Sequence, residues 1–502
     1  MKILSSNQMR KADEATISNM PIASVDLMER AGAECVKSIL KEKPRADAQF
    51  LVFCGIGNNG GDGLVISRLL STAGFSVKCF VLEFSKRHSR DFDINLERLR
   101  EMSGEAIFIQ NESDIPAMSQ QAWIIDAIFG TGLNRSPEGL VRKVILRVND
   151  SGCRVISIDF PSGLFSQAPV ADPQAVIQAS LTLTFQQPKL AFLLPSNSDF
   201  VGRWEILDIG LDPDFIAGIS DCHELVDSTL ASSLLRARGR FTHKGSFGHS
   251  LLIGGSYGKV GAMILASKAA LRIGSGLVSA YVPKCGYTAL QTAVPEAMTE
   301  VDDEFYLQFF NFKTNPTAIG IGPGLGTHLK TKKGFVEFLK ERRGPLVLDA
   351  DALNIISEHD EIKGLIPPGS ILTPHPREFE RLAGSWPDDF EKLKKQQDFA
   401  KRHKCILILK GAYTSVTNGE RLYFNSSGNP ALATGGSGDV LTGILTGLLA
   451  QGYSPMKASL LGVYLHGSSA DIGVRSEESE ESFIASDILK FLGRAIKELR
   501  GT

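Results

Sequence analysis

The sequence lacks most of the features that would narrow its function at once. It has seven cysteines in 502 residues (35, 54, 79, 153, 222, 285 and 405), and none form a CxxC pair. That argues against a zinc cluster or a disulfide framework and suits a reducing compartment. No run of eighteen apolar residues occurs, so no transmembrane helix is expected. The N-terminal MKILSSNQMRKADE has no apolar core of signal-peptide length. Lys and Arg number 54 against 56 Asp and Glu, a net charge of −2, which leaves no field to draw nucleic acid or an acidic membrane. No repeat with a period of 20 to 50 residues is visible, and the only low-complexity tract is SEESEES at 476–482. What remains is a cytoplasmic globular chain acting on small molecules, with no nucleic-acid or membrane partner.

Length points to two or three domains, and a composition of 43% hydrophobic and 22% charged residues is ordinary for globular proteins. In the first half, buried-strand patterns (Gln49 to Cys54, Ser76 to Leu82, Ala122 to Ile128, Arg154 to Asp159) alternate with helical ones (Leu64 to Thr72, Asp91 to Met102, Leu140 to Asn149). Such alternation predicts a mostly parallel sheet covered on both faces. The stretch Asp208 to Ser228, rich in Asp, Gly and Ser, breaks the pattern and reads as an interdomain connection. A second series follows: strands His249 to Ile253, Leu277 to Val282, Thr317 to Ile321, Pro345 to Leu348, Ser370 to Leu372 and Cys405 to Leu409. A hairpin is expected around Asn418-Gly419, then helices Gly438 to Ala450 and Pro455 to Asp471. The expected architecture is α/β in two domains, 1–220 and 221–502, each a three-layer sandwich.

In parallel sheets ligands bind beyond the carboxyl ends of the strands, and the polar, glycine-rich segments fall there. GIGNNGGDG (55–63) fits G-x-G-x-x-G. Its ordinary meaning is a dinucleotide fingerprint, with Glu83 on a ribose. Asn58, Asn59 and Asp62, however, add side-chain oxygens that suit a cation, or sugar and amide groups, better than a pyrophosphate. Asp126 can lend charge to a monovalent cation or cap the following turn. Asp159, at another strand end, can shuttle protons or serve the Pro161-Ser162-Gly163 turn, or both. GIGNNGGDG, DAIFGTGLNR (126–135) and SIDFPSG (157–163) together resemble the NAD(P)H-hydrate epimerase family, the YjeF N-terminal domain, with a Rossmann-like fold. The resemblance implies that Asn58, Asn59, Gly60, Gly61 and Asp62 line the substrate site, with Gly130, Thr131, Gly132, Leu133, Asn134, Arg135 and Ser136. It also implies that Asn59, Asp126 and Ser162 hold potassium and that Asp159 meets the reacting ring. Phe160 stands where the family more often has a small or aliphatic residue.

In the second half Thr434-Gly435-Gly436-Ser437-Gly438-Asp439 opens a helix. Backbone amides there form an anion hole reinforced by the helix dipole, and Asp439 can reach a substrate hydroxyl. No G-x-x-x-x-G-K-[ST] occurs at this segment. GGSYGKVGA (254–262), GIGPGLG (320–326), DADALN (349–354), TPHP (373–376) and KGAYT (410–414) fall at further strand ends. Together these motifs resemble the ribokinase-like, ADP- or ATP-dependent NAD(P)H-hydrate dehydratase domain over about 240–472. The resemblance implies substrate contacts from Ala262, Gly324, His375 and Asp439, with Asp439 as the base. Lys410, Gly411, Ala412, Tyr413, Thr414, Asn429, Gly435, Gly436, Ser437 and Gly438 would hold the adenine nucleotide, with magnesium on its phosphates. Arg377 replaces the family's usual glycine.

The expected function is repair of hydrated NADH and NADPH. The R and S hydrates are interconverted, and the S form is dehydrated at the expense of ADP, giving AMP and phosphate, in a chain expected to form a homo-oligomer. Against this stand a ribokinase-like small-molecule kinase carrying a non-catalytic N-terminal binding module, and a dehydrogenase built on Glu83.

Overall fold

A computed structural model describes residues 1–85, 87–102, 105–302 and 305–501. The chain forms two compact units, one of residues 2–222 with 388–390, the other of residue 1, 223–387 and 391 onward.

The first unit is built on a seven-stranded sheet, every pairing parallel. Across it the strands run Ala106–Ile109, Ser76–Leu82, Gln49–Cys54, Trp123–Ala127, Arg154–Ile158, Leu181–Phe185 and Arg203–Leu207. The central strands are almost wholly buried apolar residues, as a sheet covered on both faces requires. Strand order reverses between Gln49–Cys54 and Trp123–Ala127, which lie side by side although Ser76–Leu82 and Ala106–Ile109 come between them in the chain. At such a switch point the two following loops diverge and leave a crevice.

The expected loop 55–63 is mostly helix: Asn58–Thr72 begins within it, after the N-cap Gly57. Missing side chains permit this. A Cβ on Gly55 would stand 2.0 Å from the Ile128 carbonyl oxygen, and one on Gly60 would stand 1.8 Å from that of Gly55. The first helical turns therefore press onto the strand ends, which carries Asn58, Asn59 and Asp62 to the crevice.

In the second unit the strands run His223–Val226, Leu422–Asn425, Ser415–Thr417, Ile406–Leu409, Ile371–Leu372, Leu346–Leu348, Ala318–Ile321, His249–Ile253, Leu277–Val282 and Met298–Val301. Among these ten strands only Ser415–Thr417, in the hairpin, runs antiparallel to its neighbours. Order reverses between His249–Ile253 and Ala318–Ile321, so the loops after 253 and 321 open a second crevice. The α/β class expected from the pattern is what the structure has. The supposed connection Asp208 to Ser228 is more ordered than expected. It holds the helix Pro213–Gly218 and the strand His223–Val226, whose Leu225 and Val226 are buried beside Leu422–Asn425. Among the described residues no helix is long and apolar enough to cross a membrane.

Candidate active sites

A cavity of about 420 Å³ opens at the switch point of the first sheet, with Asn58, Asn59, Asp62, Gly130, Thr131 and Gly132 on its wall. Asp159 and Lys189 line it too. Gly60 and Gly61 are buried in the helix behind it, and Leu133, Asn134, Arg135 and Ser136 lie off the wall. Register explains one polar cluster. Asp126 pairs with Ser157 across adjacent strands, and its carboxylate accepts the Ser157 hydroxyl at 2.8 Å, the Ser162 hydroxyl at 2.6 Å and the Ser162 amide at 2.9 Å. It also accepts the Ile128 amide at 3.3 Å, so it caps the turn as well. Burial pushes the Asp126 carboxyl above its ordinary range, while these donors pull it back. The Asn59 side chain differs: its oxygen and nitrogen are buried without a hydrogen-bond partner.

Asp159 has φ +59°, left-handed for a residue with a side chain, a conformation Asp tolerates better than most. One carboxylate oxygen accepts the Thr184 hydroxyl at 3.1 Å and the Phe185 amide at 3.3 Å, and stands 3.4 Å from the Lys189 ammonium. Lys189 is itself buried and donates to the carbonyls of Phe185 at 2.8 Å and Gln187 at 3.3 Å. The other oxygen faces Gly130, where a Cβ would lie 3.6 Å away. Phe160 turns into the core and stacks on Phe192 at 5.1 Å, so the departure from the family pattern is absorbed away from the cavity.

The second crevice is organised around the helix Ser437–Ala450, whose N-cap Gly436 has φ +93° and no side-chain cap. The Ser437 amide turns back on the Thr434 carbonyl at 3.5 Å, and the amides that follow it in the first turn have no side-chain cap. Asp439, in that first turn, is half-buried and pushed up to about 6, first by burial and then by the charge of Asp349, against the pull of Lys410. Lys410 donates to Asp349 at 3.0 Å, and Thr442 donates to the other Asp349 oxygen at 2.8 Å. A Cβ on Gly438 would lie 3.4 Å from the Lys410 ammonium, so Lys410 and the glycine turn lie side by side. Gly411 and Thr414 close their loop on each other. Asn429 hangs on Asp471, to which its amide donates at 2.9 Å.

Gly324, with φ +59°, packs against Lys259 and Ala262, joining two of the expected substrate residues. His375 caps the helix Pro376–Ala383, its Nδ1 accepting the amides of Arg377 at 3.2 Å and Glu378 at 3.4 Å. That leaves Nε2 carrying the proton at a half-exposed edge. Burial holds the ring below its ordinary pKa, favouring this neutral form. Arg377 is exposed.

Two family models match, one described as the YjeF-related protein N-terminus over residues 24–191, the other as NAD(P)H-hydrate dehydratase over 250–491. The bifunctional NAD(P)H-hydrate repair enzyme of Moorella thermoacetica is 35% identical, covering 99% of this chain and 97% of its own. The chain belongs to the bifunctional NAD(P)H-hydrate repair enzyme family. The Escherichia coli relative of the same name is 31% identical, with 98% of this chain and 93% of its own covered. A solved ADP/ATP-dependent NAD(P)H-hydrate dehydratase from Bacillus subtilis, co-crystallised with ATP and magnesium, is 29% identical over 56% of this chain and 100% of its own, with a TM-score of 0.48.

For this family member, sequence reasoning missed several groups that the fold brings to the sites. Asp349 was visible only as part of a motif, without its ion pair. Buried His466 supports the glycine turn, its Nε2 lying 2.9 Å from the Ser437 carbonyl oxygen, and burial drives its pKa down to about 4. Lys189 and Asp13 of the first cavity carried no motif at all.

Proposed function

We propose that the chain repairs hydrated NADH and NADPH, its first unit exchanging the R and S hydrates and its second dehydrating the S form with ADP, giving AMP and phosphate. The observation that carries this is the position of Asp439. A half-buried carboxylate pushed up to about 6 stands in the opening turn of a helix whose N-cap makes no side-chain bond to the amides. Hydroxide is a poor leaving group. Asp439 takes the proton from the hydroxyl on carbon 6 as that oxygen attacks the terminal phosphoryl of ADP. The Gly435 to Gly438 amides stabilise the charge that develops, each such donor supplying about 3 kcal/mol. AMP leaves, and loss of phosphate from carbon 6 with a proton from carbon 5 restores the dihydronicotinamide. Lys410, held against Asp349, and the 411–414 loop orient the nucleotide, while Ala262, Gly324 and the Nε2–H of His375 orient the hydrate.

Among the described residues no group of three His, Cys, Asp or Glu could hold a metal ion. This suits magnesium that arrives on nucleotide phosphates, since that ion keeps water and phosphate ligands, and it would neutralise phosphate charge there. In the first unit the unpartnered Asn59 amide, with the carboxylate of Asp126 and the hydroxyl of Ser162, fits potassium, a soft demand on oxygen donors with one formal charge. The ion would help position the substrate, while Asp159 handles protons at the ring.

The test is to incubate the full chain with ADP, magnesium and mixed hydrate epimers and follow the absorbance of restored dihydronicotinamide. Complete recovery is expected. A stop when one epimer is exhausted removes the epimerase from the reading, and no recovery removes the dehydratase. Replacing potassium with tetramethylammonium is expected to raise the KM of epimer exchange and leave S-hydrate affinity unchanged. An unaltered KM would remove potassium.

A further inference from the structure

Asp13 sits in the first cavity with no role in the chemistry above. It belongs to the helix Ser6–Asn19, outside residues 24–191 matched by the family model. The buried stripe of that helix is Met9, Ala12 and Thr16, the spacing of one helical face. Asp13, one turn after Met9 and next to Ala12, places a carboxylate at the edge of that stripe. The helix is fixed over the crevice at several points. Ser6 donates to the Thr131 carbonyl at 3.0 Å, and Thr16 accepts the Asp212 amide at 2.9 Å. Asp13 and Asp159 thus reach one cavity from separate elements, the first from this helix and the second from the end of the strand Arg154–Ile158.

Exchange by loss and return of water on opposite faces of the ring calls for a proton given on one face and taken on the other, a task for two groups on different walls. We propose that Asp13 is the second proton-handling group of the epimerase, acting on the ring face opposite to Asp159. This inference rests on the epimerase reading above. Asp13, as the acid, gives its proton to the hydroxyl on carbon 6. The carbon–oxygen bond breaks, water departs, and the ring nitrogen lone pair takes up the positive charge. Water then adds to carbon 6 from the other face, and the Asp159 carboxylate takes the proton that this water sheds. One proton has moved from Asp13 to Asp159, and the resulting state is ready for the reverse exchange.

The surroundings of Asp13 suit a proton donor. Burial, then the nearby Asp159 charge, push Asp13 up to about 6, with Lys189 opposing and Glu14 adding to the rise. Asp62, buried in the same wall, is raised too, by burial and by Asp159, Asp13 and Asp91. Arg10 lines the cavity from the same helix as Asp13. Lys189, the Thr184 hydroxyl and the Phe185 amide all stand against one oxygen of Asp159. A carboxyl held above its ordinary range by burial suits the acid role.

The experiment compares full-length wild type, Asp13→Asn and Asp13→Glu. Epimer exchange is measured against pH with the enzyme-free rate subtracted, and S-hydrate dehydration by the same chains serves as internal control. Asp13→Asn is expected to slow exchange by about 100-fold, within the range for loss of an acid–base group, with dehydration unchanged. Asp13→Glu is expected to recover part of the rate. The wild-type fall in kcat/KM above pH about 6 should be missing from Asp13→Asn. Wild-type exchange in Asp13→Asn, or a loss seen in KM alone with the pH profile intact, overturns the proposal while the epimerase reading stands. Absence of exchange in wild type overturns both.

Discussion

Asp439→Asn is expected to slow S-hydrate dehydration by about a thousandfold, in the upper part of the range for loss of a general base, while epimer exchange proceeds at the wild-type rate. Asparagine keeps the shape of the side chain and leaves the Gly436 turn and the Lys410–Asp349 pair untouched, so the loss reads chemistry and not collapse. In the proposed role Asp439 works as a carboxylate. Because burial and Asp349 raise its pKa to about 6, wild-type kcat/KM should fall as pH drops below that value and level off above it. The acid limb should be absent from the variant. Single-turnover measurement of nucleotide cleavage across pH checks both points, and full-speed dehydration by Asp439→Asn would remove Asp439 as the base.

Asp159→Asn should have the next largest effect, slowing epimer exchange by about a hundredfold. Mixed hydrates would then be repaired only until the S form is consumed. Asparagine suits the backbone there, since the residue has φ +59° and Asn visits that region readily. Losing the carboxylate leaves the Lys189 ammonium its two carbonyl acceptors, so the buried charge is not stranded and the fold should hold. Alanine would be the poorer choice, because it would strain the backbone and remove the proton acceptor together. Exchange at the wild-type rate in Asp159→Asn would reduce the residue to a part of the turn.

Much of this was legible in the sequence because both sheets are mainly parallel and covered on two faces. Strands such as Gln49–Cys54 and Ile406–Leu409 are short, nearly unbroken apolar runs, and most of the candidate segments follow one of them, 434–439 excepted. Less legible was what the glycines do. The segment 55–63 read as a loop because its composition opposes helix, yet Gly60 is in a helix since only a missing Cβ lets that helix seat on the strand ends. Pairings distant in the chain left no local signal. Lys410 and Asp349 are 61 positions apart, and His466 and Ser437 are 29 apart. Asp13 sits in an ordinary amphipathic helix, where a carboxylate beside an apolar stripe has no motif to announce it. Strand Arg203–Leu207, only partly buried, lacks the apolar run that marked the others.

The helix Ser437–Ala450 carries Asp439 in the turn that opens on Gly436. In the proposed reaction, proton acceptor and phosphate cradle are therefore parts of one element, spaced by a few backbone bonds and not by packing between distant elements. A substitution far away that tilts this helix cannot loosen the nucleotide without also displacing the base. Remote damage to this unit should appear as coupled losses in nucleotide affinity and turnover.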